Sequence, residues 1–145
     1  MRRLALLLAV AASATACSGE PGDEEPEHVE CEPDLAAPAG FEPLRPFEEE
    51  YPDHTGIRLG FRDQDGRELH FFAGIPGEFG EGLPTAGPVE LTRERTGFLL
   101  GRDDVWVVTW REGGVCDPRA VLANGFSRRG FMAALVDAGL APPER

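Results

Sequence analysis

The six residues Val105-Trp106-Val107-Val108-Thr109-Trp110 restrict the fold more than any other stretch of this chain. Side chains alternate between faces along an extended strand, so Trp106, Val108 and Trp110 share one side while Val105, Val107 and Thr109 share the other. Both sides are apolar. Such a strand needs cover on each face, which places it inside a sheet rather than at its edge.

A second strand signal is simpler. Ile57, Leu59 and Phe61 alternate with Arg58, Gly60 and Arg62, the pattern of a half-buried strand, and Glu68 to Ala73 reads as its neighbour. Between them lies Asp63-Gln64-Asp65-Gly66, with Gly66 available for a left-handed turn position. A three-residue loop, Gln64 to Gly66, sets Phe61 opposite Leu69, Leu59 opposite Phe71, Ile57 opposite Ala73 and Arg62 across from Glu68. A two-residue Asp65-Gly66 loop would instead set Phe61 against His70 and mix the faces. Further strands are expected at Val89–Thr92, Thr96–Leu100, Val115–Cys116 and Ala120–Ala123. The glycine- and proline-rich run from Gly74 to Pro88 reads as a long surface connection.

Ser127 suits a helix cap, Phe131, Ala134, Leu135 and Ala138 follow at helical spacing, and Gly139 with Pro142-Pro143 ends the run. Arg128 and Arg129 in the first turn oppose the helix dipole, and Gly130 weakens the interior. The expected fold class is therefore α+β, a small antiparallel sheet with a C-terminal helix packed on it, over residues 35–145 as a single domain. A chain of 145 residues suits one core and falls short of two comfortable ones.

The first 16 residues read differently. Arg2 and Arg3 precede a nine-residue apolar run, Leu4 to Ala12, and the small residues Ser13-Ala14-Thr15-Ala16 lead to Cys17. That is the pattern of an export signal, residues 1–16, and its apolar run is well under the roughly 20 residues of a membrane-spanning helix. Cys17 after small residues and before Ser18-Gly19 resembles a bacterial lipoprotein cleavage site, which implies lipidation of Cys17 and a place on the extracytoplasmic face of the cell membrane. Ala14-Thr15-Ala16 also fits simple secretion, and Ala14 stands where the lipoprotein pattern more often has leucine.

Residues 17–34 then form an expected lipid-anchored tether. Eight of the fifteen residues from Glu20 to Asp34 are acidic and three are proline, too little apolar surface to offset the entropy of ordering. A cation-binding tail is the alternative to a simple solvated spacer. The whole chain has 26 acidic residues against 14 arginines, no lysine and a net charge of -12, which argues against a nucleic-acid partner. Lysine-free, arginine-rich usage suits a GC-rich genome such as an actinobacterial one.

The order from the D-x-D-G hairpin through Thr96-Gly97-Phe98-Leu99-Leu100, Val107 to Val115 and Ser127 to Leu140 resembles a small uncharacterised domain. That domain occurs in actinobacterial lipoproteins and on the outer side of anti-sigma factors. The likeness covers roughly residues 55–140 and implies a sheet with a terminal helix and no catalytic residues. Cys116 departs from it, where an aromatic is more usual.

Chemistry is sparse. Ser18 and Ser127 are the only serines after Cys17, and no G-x-S-x-G occurs. His28, His54 and His70 lack metal-ligand spacing, and Asp63-x-Asp65-Gly66 lacks the remaining ligands of a calcium loop, so no metal and no cofactor is expected. The glycines from Gly74 to Gly87 match neither nucleotide motif, and Glu78 and Glu81 would repel a phosphate. Glu48-Glu49-Glu50 with Asp53 and His54 is the densest polar cluster, either an acid–base set or a solvated loop. With Cys17 lipidated, Cys31 and Cys116 are an even remainder in an oxidising compartment and are expected to pair.

The first functional expectation is a non-catalytic, lipid-anchored envelope protein, monomeric, whose sheet recognises an envelope protein partner in a sensory or accessory role. The second is a binder of an apolar small molecule or lipid between the helix and the Trp106, Val108, Trp110 face. The third is a hydrolase using the Glu48–His54 cluster. Membrane fractionation checks the anchor: the wild type stays with the membrane and Cys17→Ala is released, whereas a wild type found wholly in the medium removes it.

Overall fold

The computed structural model describes residues 27–144, so the signal segment, Cys17 and the first part of the tether lie outside the described residues. Nine strands make one sheet: β1 (Val29–Glu30), β2 (Glu42–Pro43), β3 (Phe47–Glu50), β4 (His54–Arg62), β5 (Glu68–Ala73), β6 (Thr85–Leu91), β7 (Arg95–Arg102), β8 (Val105–Trp110) and β9 (Arg119–Asn124). The helix α1 (Arg128–Asp137) follows. Spatial order is β1-β4-β5-β9-β8-β7-β6, with β2 and β3 also on β4. All pairs are antiparallel except β1 on β4, which is parallel.

The sheet is thus mixed, and larger than the small antiparallel one expected. The additional strands come from residues 29–50, where polar and proline residues hide any alternation; all four residues of β3 are exposed. Val115–Cys116 is a turn rather than a strand, because Gly113 and Gly114 take positive φ (87° and 95°) and the Asp117 carboxylate accepts from the Glu112 and Gly113 N–H groups.

The β4–β5 hairpin has the register that its apolar residues demand: Phe61 faces Leu69, Leu59 faces Phe71, Ile57 faces Ala73 and Arg62 faces Glu68. Gly66 at φ 80° donates to the Asp63 carbonyl at 3.1 Å, closing the turn. The Asp63 carboxylate accepts from the backbone of Asp65 and Arg67 and from the Arg67 guanidinium. These donors outweigh burial, which raises a carboxyl pKa, and hold Asp63 below its ordinary value. This carboxylate closes the hairpin itself.

Strand β8 lies between β7 and β9, and its neighbours Val107 and Val108 are both 0% exposed although they point to opposite faces. The helix covers the face of Val108. Phe131, Ala134 and Leu135 share a core there with Phe71, Val121, Trp106 and Trp110. Burying Phe131 and Leu135 is worth roughly 1.5–3 kcal/mol each. Ser127 Oγ accepts from Gly130 N–H at 3.0 Å at the start of the helix. At its end Gly139 (φ 79°) donates to Val136 and Leu140 to Leu135, a Schellman closure that turns Leu140 into the core.

On the opposite face the connection after β5 supplies the cover. Phe79 packs on Phe72 with ring centroids 4.8 Å apart, and Gly80 lies over Val107 and Leu100.

The parallel strand β1 fills a vacancy. On β4 the carbonyls of His54 and Gly60 bond toward β2 and β3, and those of Asp53 and Thr55 accept from Val29 and Cys31. Alternation puts the latter pair on the β5 side, so β1 continues the edge that β5 leaves at Gly74. Cys31 and Cys116 are joined there, with Cα atoms 5.6 Å apart. Gly74, at φ 70°, donates to the Cys116 carbonyl at 2.8 Å, and a Cβ on it would lie 2.5 Å from the Cys31 sulfur. Val29 to Cys31, assigned from sequence to the tether, are built into the sheet.

The bridge spans 85 residues, for which the chain-entropy estimate is about 4 to 5 kcal/mol and the usual measured loss is about 2 to 5 kcal/mol. Replacing both cysteines with alanine should lower the unfolding free energy by an amount in that range in a urea titration, while alkylation of unreduced wild type leaves both unlabelled. Equal urea midpoints would show that the bond adds nothing.

Candidate functional site

The uneven cover of the sheet decides where a ligand could sit. Trp106, Val108 and Trp110, the face expected to hold an apolar molecule beneath the helix, are 8%, 0% and 3% exposed and belong to the core. The Trp110 indole donates to Glu112 at 3.1 Å, so its polar edge is also engaged. Phe71, Phe131 and Leu135 occupy the space above this face. Its side chains are packing residues, and the helix meets it directly.

The other face is open at one end. The connection covers Val107 and Leu100 but stops short of Phe98, which pairs with Thr109 across β7 and β8 and is 57% exposed. A groove of about 500 Å³ runs beside it, with Phe98, Phe79, Pro118 and a part of the largely buried Trp110 as apolar lining and Thr96, Thr109, Glu78 and Arg111 as polar lining. That size falls in the range of small-molecule sites. Thr96, Phe98 and Thr109 share the outer face by register. Sequence reasoning passed over these residues, since an exposed phenylalanine looks like any other apolar residue in an alternating strand. The one signal was that Phe98 shares its face with Thr96 and Arg102.

The Glu48–His54 cluster is drawn together only in part. Tyr51 stacks on His54, with ring centroids 4.6 Å apart. His54 Nδ1 lies 2.6 Å from the Asp53 carboxylate and Nε2 2.7 Å from the Gly74 carbonyl. Both partners are acceptors, so the protonated ring is the form that satisfies both of them. Glu50 instead accepts from the Thr55 hydroxyl at 3.0 Å, and His28 Nε2 meets the same hydroxyl at 2.8 Å. Among the described residues no group of three or more His, Cys, Asp or Glu is placed to hold a metal ion.

A second ionic set closes the far end of the helix-side face. Arg95 pairs with Asp34 and, at 3.3 Å, with Glu112; Arg119 also pairs with Glu112. Arg95 lies over the Trp110 ring at 5.8 Å and bonds the Thr92 carbonyl, while Thr92 Oγ1 donates to the Gly139 carbonyl. This network joins the N-terminal segment, the β6–β7 turn and the end of the helix.

Burial lowers the pKa of His54, but the bonds to Asp53 and Gly74 and the Asp53 charge outweigh it, so the value lies above the ordinary one. The His54 bond and charge hold Asp53 low in turn. A raised folded-state histidine pKa gives stability that is fully present below about 6.5 and is lost as pH rises through the folded value. The urea midpoint should therefore fall as pH rises above about 6.5, and His54→Gln should flatten that fall. An unchanged slope in the variant would show that His54 does not carry the pH dependence. No family model, curated protein or solved structure matches the chain.

Proposed function

We propose that this protein is a non-catalytic recognition module of the bacterial envelope, held at the outer face of the membrane by a lipid on Cys17. The groove beside Phe98 is its contact surface. The observation that carries this reading is the 57% exposure of Phe98 on a strand whose neighbours Leu99 and Gly101 are buried. Leaving a phenylalanine in water forgoes roughly 1.5–3 kcal/mol of burial, a cost that a partner seated on it recovers. The export-type leader, the acidic tether and the resemblance to extracytoplasmic domains support the location. The disulfide suits an oxidising compartment.

The apolar-small-molecule reading moves to the same groove, because the Trp106 face is filled. The hydrolase reading has less support, because His54 is engaged with Asp53 and the Gly74 carbonyl rather than turned toward the groove residues. A photo-crosslinking residue placed at Thr96 in the full chain, expressed in its own cell, tests the first reading. It should give one adduct of protein-sized mass that disappears in Phe98→Asp and is absent when the residue is placed at Arg129 on the helix. An adduct of small-molecule mass would favour the second reading, and no adduct at Thr96 would overturn both.

A further inference from the structure

Two opposite charges line the groove without meeting. Glu78 comes from the connection after β5 and Arg111 from the end of β8, and neither forms an ion pair or a side-chain hydrogen bond with any described residue. Five other arginines, Arg62, Arg67, Arg93, Arg95 and Arg119, are taken up by carboxylate partners, whereas Arg111, like Arg45, Arg58, Arg102, Arg128 and Arg129, has none among the described residues. Thr96 and Thr109 likewise make no side-chain hydrogen bond to a described residue, so their hydroxyls are open to a ligand. Between these polar groups lie Phe98, Phe79 and Pro118.

We propose that the groove holds an extended peptide segment of a protein partner, two apolar residues flanked by one basic and one acidic residue. This rests on the reading of the groove as the recognition surface and names its ligand. The apolar pair packs on Phe98, Phe79 and Pro118, the basic residue meets Glu78, the acidic one meets Arg111, and the two threonines bond the peptide backbone. A ligand with only a negative group would face Glu78 uncompensated, and one with only a positive group would face Arg111. A dipolar segment satisfies both. Exposed ion pairs are weak, so the apolar contact supplies most of the affinity and the charges select the sequence.

Four end-blocked tetrapeptides with phenylalanine and leucine in the middle test this on the intact protein by fluorescence anisotropy. One carries lysine first and glutamate last, two replace one charge by glutamine, and the fourth replaces both. In the wild type each lost charge should weaken binding about two- to fivefold, the range of exposed ion pairs. In Glu78→Gln the lysine replacement should have no effect while the glutamate replacement keeps its own; Arg111→Gln should show the reverse. Phe98→Ser should weaken all four. The proposal is overturned if the doubly charged peptide shows no saturable binding up to millimolar concentration. It is equally overturned if the charge replacements act alike in wild type and variants. Peptide failure with a Phe98-dependent cellular adduct at Thr96 would leave the recognition reading standing and remove only this ligand; peptide binding with no adduct would do the opposite.

Discussion

Val107 and Val108 are adjacent and both fully buried, on opposite faces of one strand. That requirement for cover on two sides organises the molecule. One helix serves one face, closed by its serine cap and glycine exit, and delivers Phe131 and Leu135 to the core. Among the described residues there is no second helix to cover the other face, and the connection between β5 and β6 folds across it, using Phe79 and the bare backbone of Gly80. A loop is a smaller cover than a helix. The groove beside Phe98 is what that difference in size leaves over.

Much of this was legible in the chain itself. The hairpin register followed from Phe61, Leu59 and Ile57 needing the same face as Leu69, Phe71 and Ala73, because a slip of one residue would turn all of them outward. The helix and its cap followed from spacing and from Ser127. Strands β1 to β3 were not legible, since their largely exposed side chains carry no apolar alternation. The cysteine pairing rested on counting and compartment, and the structure places both sulfurs at one junction.

The site was less legible than the fold. Paired tryptophans drew attention because large aromatics often line clefts, but their side of β8 is the one that the helix needs. Cover is a property of the whole chain, and no local pattern says where a loop will stop. His54 illustrates a similar limit: the cluster around it suggested acid–base chemistry, whereas its Nε2 is held by the carbonyl of Gly74, twenty residues away. Partners brought by topology decide what a histidine can do.

The place where β1 enters the sheet also sets how the molecule bears tension. A pull on the chain before Val29 acts on β1, which pairs with β4 alone and brings Cys31 to the exit of β5. It first shears the two-residue parallel pairing and then reaches Cys31. From there the covalent bridge passes the load straight to Cys116, and the 85-residue span between them is bypassed. All of the groove beside Phe98 except Pro118 lies within that span, so most of its lining is insulated from stretching at the N-terminal end. Reduction of the bridge would put the same strands, and with them the groove, directly in the line of force.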